Sequence, residues 1–314
     1  MPKVKRLYLT VAGSAVAIAC TLFFVFEVKR LMSGGHVELD GFLRLLPTAL
    51  AAFMSAYLGF AYGWHHLLAA AGARSRPWTD IGIFTTTQFA KYLPGNVGHH
   101  VGRVALAAKM GLPAYTVVAS MIAEIAIVAS LMALFSLPLL GFWVRRLGID
   151  VSWLAYAAAG IACMGLLALL ALRSWRQHPA LSGLAAAWKR FRGNGARAYA
   201  HLALATGLLV AGIVLSAISL ALLDAGHGLL RPGAFAPVLG LFAAAWLLGF
   251  VTPGAPAGIG IREVVLTEGL APMVGRDASI AIALVFRILS TGADLVAFLL
   301  GILILWLGNR HSRD

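Results

Sequence analysis

The chain has 314 residues, 61% of them hydrophobic and only 12% charged. That balance excludes a soluble globular domain and indicates a polytopic helical membrane protein. The formal net charge of +13 does not indicate nucleic-acid binding, because the bases sit at the ends of apolar runs, as the positive-inside bias and anionic lipid surfaces explain.

The apolar runs are long and continuous, whereas a β-barrel wall alternates apolar and polar residues. The first predicted span, about 8–26, follows Lys3, Lys5 and Arg6. It resembles a signal peptide. Its length, the lack of a small-residue cleavage pattern and the closing Glu27, Lys29 and Arg30 favour a retained span. A mixed-charge loop, 27–44, leads to span two, about 45–72, which ends at Arg74 and Arg76. Residues 81–93 are apolar but shorter than the roughly 20 residues a crossing needs. The Pro94-Gly95 break follows, then a short helix to Lys109 and Gly111, so 79–111 reads as a re-entrant hairpin.

Span three, about 113–141, has Pro113 at its first turn, where proline is tolerated, and Glu124 inside. Arg145, Arg146 and Asp150 lead to span four, about 151–172. The stretch 173–200 is the most basic. Its Leu181, Leu184, Trp188 and Phe191 share helical spacing opposite the bases, the pattern of an interfacial amphipathic helix on the cytoplasmic face. Span five is about 201–223. Residues 235–251 run into a second break at Pro253-Gly254 and Pro256, and a short helix over 261–271 follows. This is the second hairpin, 235–271, although 235–251 is long enough to allow a full crossing. Span six, about 278–306, carries Arg287 and Asp294 inside and ends at Trp306, Arg310 and Arg313. Trp78, Trp143, Trp153, Trp175 and Trp306 fall near proposed boundaries, as interfacial tryptophans do.

The expected fold is a single all-α membrane domain over 1–314, with about six full spans plus two re-entrant Pro-Gly hairpins, about eight spans if the hairpins are counted. With the N-terminus and 173–200 cytoplasmic, the C-terminus is cytoplasmic too. Repeat one, 45–141, then runs opposite to repeat two, 201–306. These are inverted repeats, each contributing one broken hairpin.

The breaks share a pattern. In KYLPGNVGHHVGR (91–103) and PGAPAGIGIRE (253–263), an arginine stands nine residues after a proline: Pro94 to Arg103, and Pro253 to Arg262. Such backbone survives in a membrane only where it is buried in protein or lines a cavity. Two of them, one in each half, point to a transporter site between repeats. Charges at membrane depth are functional candidates. The cations are Lys91, Arg103, Arg262 and Arg287; the carboxylates are Glu124, Glu263 and Asp294. Pro94, Gly95, Gly254, Gly258 and Gly260 shape the breaks, and a helix starting after each break aims backbone N–H groups into the site. Cations plus helix N-termini make a receptor for phosphate, and an apolar wall makes that a phosphate on a lipid.

Plainer readings stand beside these. A Pro-Gly pair can be a simple kink. Arg262-Glu263 can be a local pair, and Arg103 can snorkel to the surface. Arg287 and Asp294, seven apart and so on one helix face, can lock the hairpins. Glu124 either couples protons or pairs with Arg103, and Glu263 and Asp294 either balance charge or couple protons. His99-His100 suggests a metal site, but adjacent residues do not share a helix face and no ligand cluster is near, so no metal is expected. Cys20 and Cys163 lie in apolar runs and suggest neither disulfide nor metal. No cofactor and no catalytic constellation is expected.

At these motifs the chain resembles the membrane domain of lysylphosphatidylglycerol synthase and its stand-alone bacterial relatives. The likeness rests on Tyr92-Leu93-Pro94-Gly95, Gly98, Arg103, Gly111 and Glu124, then on Pro253-Gly254, Gly258-Ile259-Gly260-Ile261-Arg262-Glu263 and Arg287, and spans roughly 5–308. The chain departs from the family pattern at His99-His100, where small or acidic residues are expected, and at Ile125, where arginine is frequent. The resemblance implies a bacterial cytoplasmic (inner) membrane protein that translocates a lipid. Stand-alone relatives are linked to hopanoid, glycolipid and polyprenyl-linked pathways. The soluble synthase domain of two-domain members has no counterpart in these residues, so aminoacyl transfer and enzyme activity are not expected. The leading expectation is a flippase whose partners are membrane lipids with a phosphate headgroup. The alternative is a non-catalytic scaffold for lipid-biosynthesis proteins.

Overall fold

The computed structural model describes residues 18–19, 21–30, 32–33, 39–93, 97–146, 193, 195–224, 228–252 and 254–310. Pro94, Gly95, Pro253, Cys20, Cys163, the proposed span 151–172 and most of the amphipathic stretch 173–200 lie outside these residues. The main helices are α1 (Leu39–Ala70), α2 (Pro77–Gln88), α3 (Gly98–Lys109), α4 (Ala114–Arg146), α5 (Gly195–Ala221), α6 (Pro232–Val251), α7 (Ile261–Val274) and α8 (Arg276–Arg310). Short 3₁₀ turns, Phe89–Tyr92 and Pro256–Gly258, stand at the two breaks. All regular structure among the described residues is helical, and the protein is an all-α polytopic membrane protein.

Among the described residues, five stretches are long and apolar enough to cross a membrane: Arg44–Ala70, Ala114–Leu137, Gly195–Ala221, Gly233–Val251 and Arg276–Gly308. Large apolar side chains such as Leu295, Leu299, Ile302 and Leu303 stay exposed along α8. That surface would aggregate in water and suits lipid. The two hairpins are unequal. Helix α2 has 12 residues, too few to cross, whereas α6 has 20 and reaches crossing length.

The chain direction of the pairings decides the architecture. Helix α1 packs along α5: the Ser219 hydroxyl donates to the Ala49 carbonyl, a Cβ at Gly59 would lie 3.2 Å from the Leu208 carbonyl, and His66 meets His201. Partners descend along α5 as they climb along α1, so the pair is antiparallel. Small residues permit this close approach. Helix α2, the first arm of hairpin one, packs on α8 of the second half; helix α6, the first arm of hairpin two, packs on α4 of the first half. Helices α3 and α4 touch as α7 and α8 do. Exchanging the halves therefore maps the principal contacts onto one another, with equivalent first helices running in opposite directions.

Among the described residues, most of the buried core lies in two clusters. One holds Leu209, Ile213, Leu220, Val238, Leu241 and Ile282, from α5, α6 and α8. The other holds Tyr57, Trp64, Leu68, Ile83, Phe84 and Met121, from α1, α2 and α4. The cavity described next has lining residues from both. At one end of the molecule, Glu27 accepts from Arg276 at 3.1 Å, tying the end of the first helical stretch to the start of α8.

Candidate functional site

Helix α2 stops because the chain must turn. The 3₁₀ turn Phe89–Tyr92 ends with Leu93 extended, as a residue before proline prefers, and α3 restarts at Gly98. A Cβ at Gly98 would stand 2.5 Å from the Ala90 carbonyl, so this turn closes only over glycine. In the second break Gly254, Gly258 and Gly260 have φ of 83°, 69° and 83°, a region that penalises side chains. Glu263, in the first turn of α7, accepts from the Gly260 N–H at 2.6 Å and so caps its own helix.

These breaks surround a cavity of about 220 Å³ whose lining includes Lys91, Arg103, Glu124, Arg262, Glu263 and Arg287 together with Phe53, Phe84, Phe242 and Trp246. It lies deep. Asp294, just outside the lining, is near the middle of the 35-residue α8, about 25 Å from either end at 1.5 Å per residue.

Three cations are paired. Arg103 is 1% exposed, donates to Glu124, and stacks 4.3 Å from the Phe84 ring centre and 4.9 Å from that of Trp64. It does not snorkel to the surface. Glu124, poised in the sequence between two roles, is its partner. Arg287 pairs with Glu263 at 3.2 Å. Lys91 lies 2.8 Å from both carboxylate oxygens of Asp294, which also accepts from Tyr57 at 2.7 Å and from Tyr92. Arg287 and Asp294 thus reach both hairpins from one face of α8.

Arg262 differs. No carboxylate among the described residues comes within ion-pair distance of it, because Glu263 turns to Gly260 and Arg287 instead. A local Arg262-Glu263 pair is therefore not formed. The Arg262 Nε is buried without a hydrogen-bond partner. Its stem threads between two glycines: a Cβ would meet Nε at 2.9 Å on Gly249 and at 2.6 Å on Gly258. Its guanidinium lies 5.9 Å from the Trp246 ring centre.

The structure corrects the expectation that neighbouring histidines point apart. His99 and His100, in the first turn of α3 at the rim of the break, both line the cavity with ring centres 3.8 Å apart: side chains about 100° apart on a helix can both border one cavity. No metal-binding group of three or more ligating side chains occurs among the described residues. Sequence reasoning also missed Tyr57, Trp246 and Gly249. Gly249, as the small residue one turn before a Pro-Gly break, carried a legible signal; the other two are ordinary aromatic residues in apolar helices.

No curated protein matches this chain. The model of the family described as "Lysylphosphatidylglycerol synthase TM region" matches residues 10–307, and the protein belongs to that family.

Proposed function

We propose that the protein is a lipid flippase of the bacterial cytoplasmic membrane, with both termini cytoplasmic, that moves a phosphate-bearing lipid between leaflets. The observation that carries this reading is the cavity: four cations and two carboxylates in its lining, with Asp294 just outside it on Lys91, walled by aromatic rings and level with the middle of the 35-residue α8. Charge held at that depth is costly and is retained where a substrate uses it. The lipid phosphate binds Arg262, Arg103, Arg287 and Lys91 hold the surrounding framework through their carboxylates, and the acyl chains remain in the bilayer. Rocking of the two halves about the antiparallel α1–α5 pair opens the site to alternate leaflets. The basic residues Arg74, Arg76 and Arg197, gathered where α1 ends and α5 begins, support the cytoplasmic placement of that end.

The test is headgroup accessibility of a labelled phospholipid in reconstituted liposomes. Wild-type protein is expected to expose inner-leaflet label, and Arg262→Ala to slow this by about tenfold or more, the loss of one charge-assisted contact. Equal rates remove Arg262 from the mechanism; a rate equal to that of protein-free liposomes ends the transport reading.

A further inference from the structure

The charges around the cavity cancel pair by pair: Arg103 with Glu124, Arg287 with Glu263, Lys91 with Asp294. Asp294 also takes two phenol hydroxyls, so with Lys91 it already accepts three hydrogen bonds and has little capacity left for a ligand amine. Arg262 is the one cation of the set without a carboxylate partner among the described residues; its Nε, like that of Arg103, is buried without a hydrogen-bond partner. One uncompensated positive charge is stabilised by one negative charge. A diphosphate would leave excess negative charge in a site walled by aromatic rings, and a zwitterionic head would bring an ammonium to carboxylates that are already paired.

His99 and His100 belong to the same lining, and each has its Nδ1 buried without a partner. Buried polar atoms are seldom left unpaired, and a neutral imidazole offers one donor and one acceptor, the complement of a hydroxyl. Gln88 and Ser290 add further neutral hydrogen-bonding groups to the lining.

We infer that the lipid this cavity accepts is a phosphodiester of one net negative charge whose head carries neutral hydroxyls, as in a glycerol- or sugar-linked phospholipid, in preference to diphosphate-linked or amine-bearing lipids. This rests on the lipid-binding reading above and narrows it to a substrate class.

The test reads binding alone. The full chain, purified in non-ionic detergent, is titrated with phosphatidylglycerol, phosphatidylmethanol, phosphatidylethanolamine, a polyprenyl diphosphate and the deacylated head glycerophosphoglycerol, while its thermal unfolding midpoint is followed. Phosphatidylglycerol is expected to stabilise at concentrations about tenfold or more below phosphatidylethanolamine and the diphosphate. Phosphatidylmethanol, with the same charge and no hydroxyls, should fall between. The soluble head should bind more weakly than the intact lipid; equal binding would assign the site to a free phosphodiester and overturn the lipid class. Arg262→Gln should erase the preference over phosphatidylethanolamine, and Arg262→Lys should retain it. The double variant His99→Leu, His100→Leu should erase only the preference over phosphatidylmethanol. Diphosphate or phosphatidylethanolamine binding as tightly as phosphatidylglycerol, no selective stabilisation by any lipid, or an unchanged ranking in Arg262→Gln overturns the inference. A protein that ranks lipids as expected yet flips none refutes transport and leaves the inference standing; one that flips lipids while ranking them otherwise does the reverse.

Discussion

At the scale of single residues, the site is a set of buried ion pairs around one guanidinium. Burying an ion pair gains little over an apolar pair, but removing one partner strands a charge and costs about 3–5 kcal/mol. Arg103 and Glu124 are both buried, so Glu124→Gln is expected to destabilise by that amount in chemical unfolding in detergent, while the double variant Arg103→Met, Glu124→Leu recovers most of it. A loss under about 1 kcal/mol in the single variant would mean that water reaches the pair. The charged residues themselves were legible in the sequence, because ionisable groups inside apolar runs stand out. Their pairing was not. Lys91 meets Asp294 across 203 positions and Arg103 meets Glu124 across 21, and no local pattern encodes either distance. Nor could spacing alone reveal that Glu263 turns away from its neighbour Arg262 to cap Gly260.

At the scale of elements, the positions of glycine decide which helices approach. A Cβ on Gly301 of α8 would lie 2.4 Å from the Thr85 hydroxyl and 2.7 Å from the Thr86 backbone nitrogen, whereas one on Gly292 of the same helix would meet nothing within 4 Å. Gly301→Leu is expected to cost at least the 1–3 kcal/mol or so of an overpacked core and to lower the thermal midpoint, and Gly292→Leu to leave it near wild type. Matching midpoints would refute the close α2–α8 packing. Gly249→Ala crowds Arg262, so it should slow flipping severalfold in the headgroup assay while the protein remains folded; an unaltered rate would show that Arg262 can move without consequence. Helix boundaries were readable because proline, glycine and hydropathy mark them: hairpin 79–111 contains most of α2 and all of α3, and 235–271 contains most of α6 and α7. The inequality of the hairpins was only partly visible. The length of 235–251 allowed a crossing, but Pro232 and Gly233 extend the helix toward the amino end, proline being accepted at its first turn.

At the scale of the whole molecule, the account depends on two halves that run in opposite directions and bring their broken hairpins to one cavity. The sequence suggested this through the distribution of arginines and the two matched breaks, and the antiparallel α1–α5 pair and the exchanged packing of α2 and α6 are the contacts such halves would make. The most direct measurement is sidedness at equivalent positions of the halves. In a background with Cys20→Ser and Cys163→Ser, Arg74→Cys follows α1 and Leu230→Cys follows α5, both at exposed sites. A membrane-impermeant maleimide should label Arg74→Cys only from the cytoplasmic side and Leu230→Cys only from the other. Labelling of both positions from the same side would contradict inverted halves and, with them, a site shared between hairpins of opposite entry.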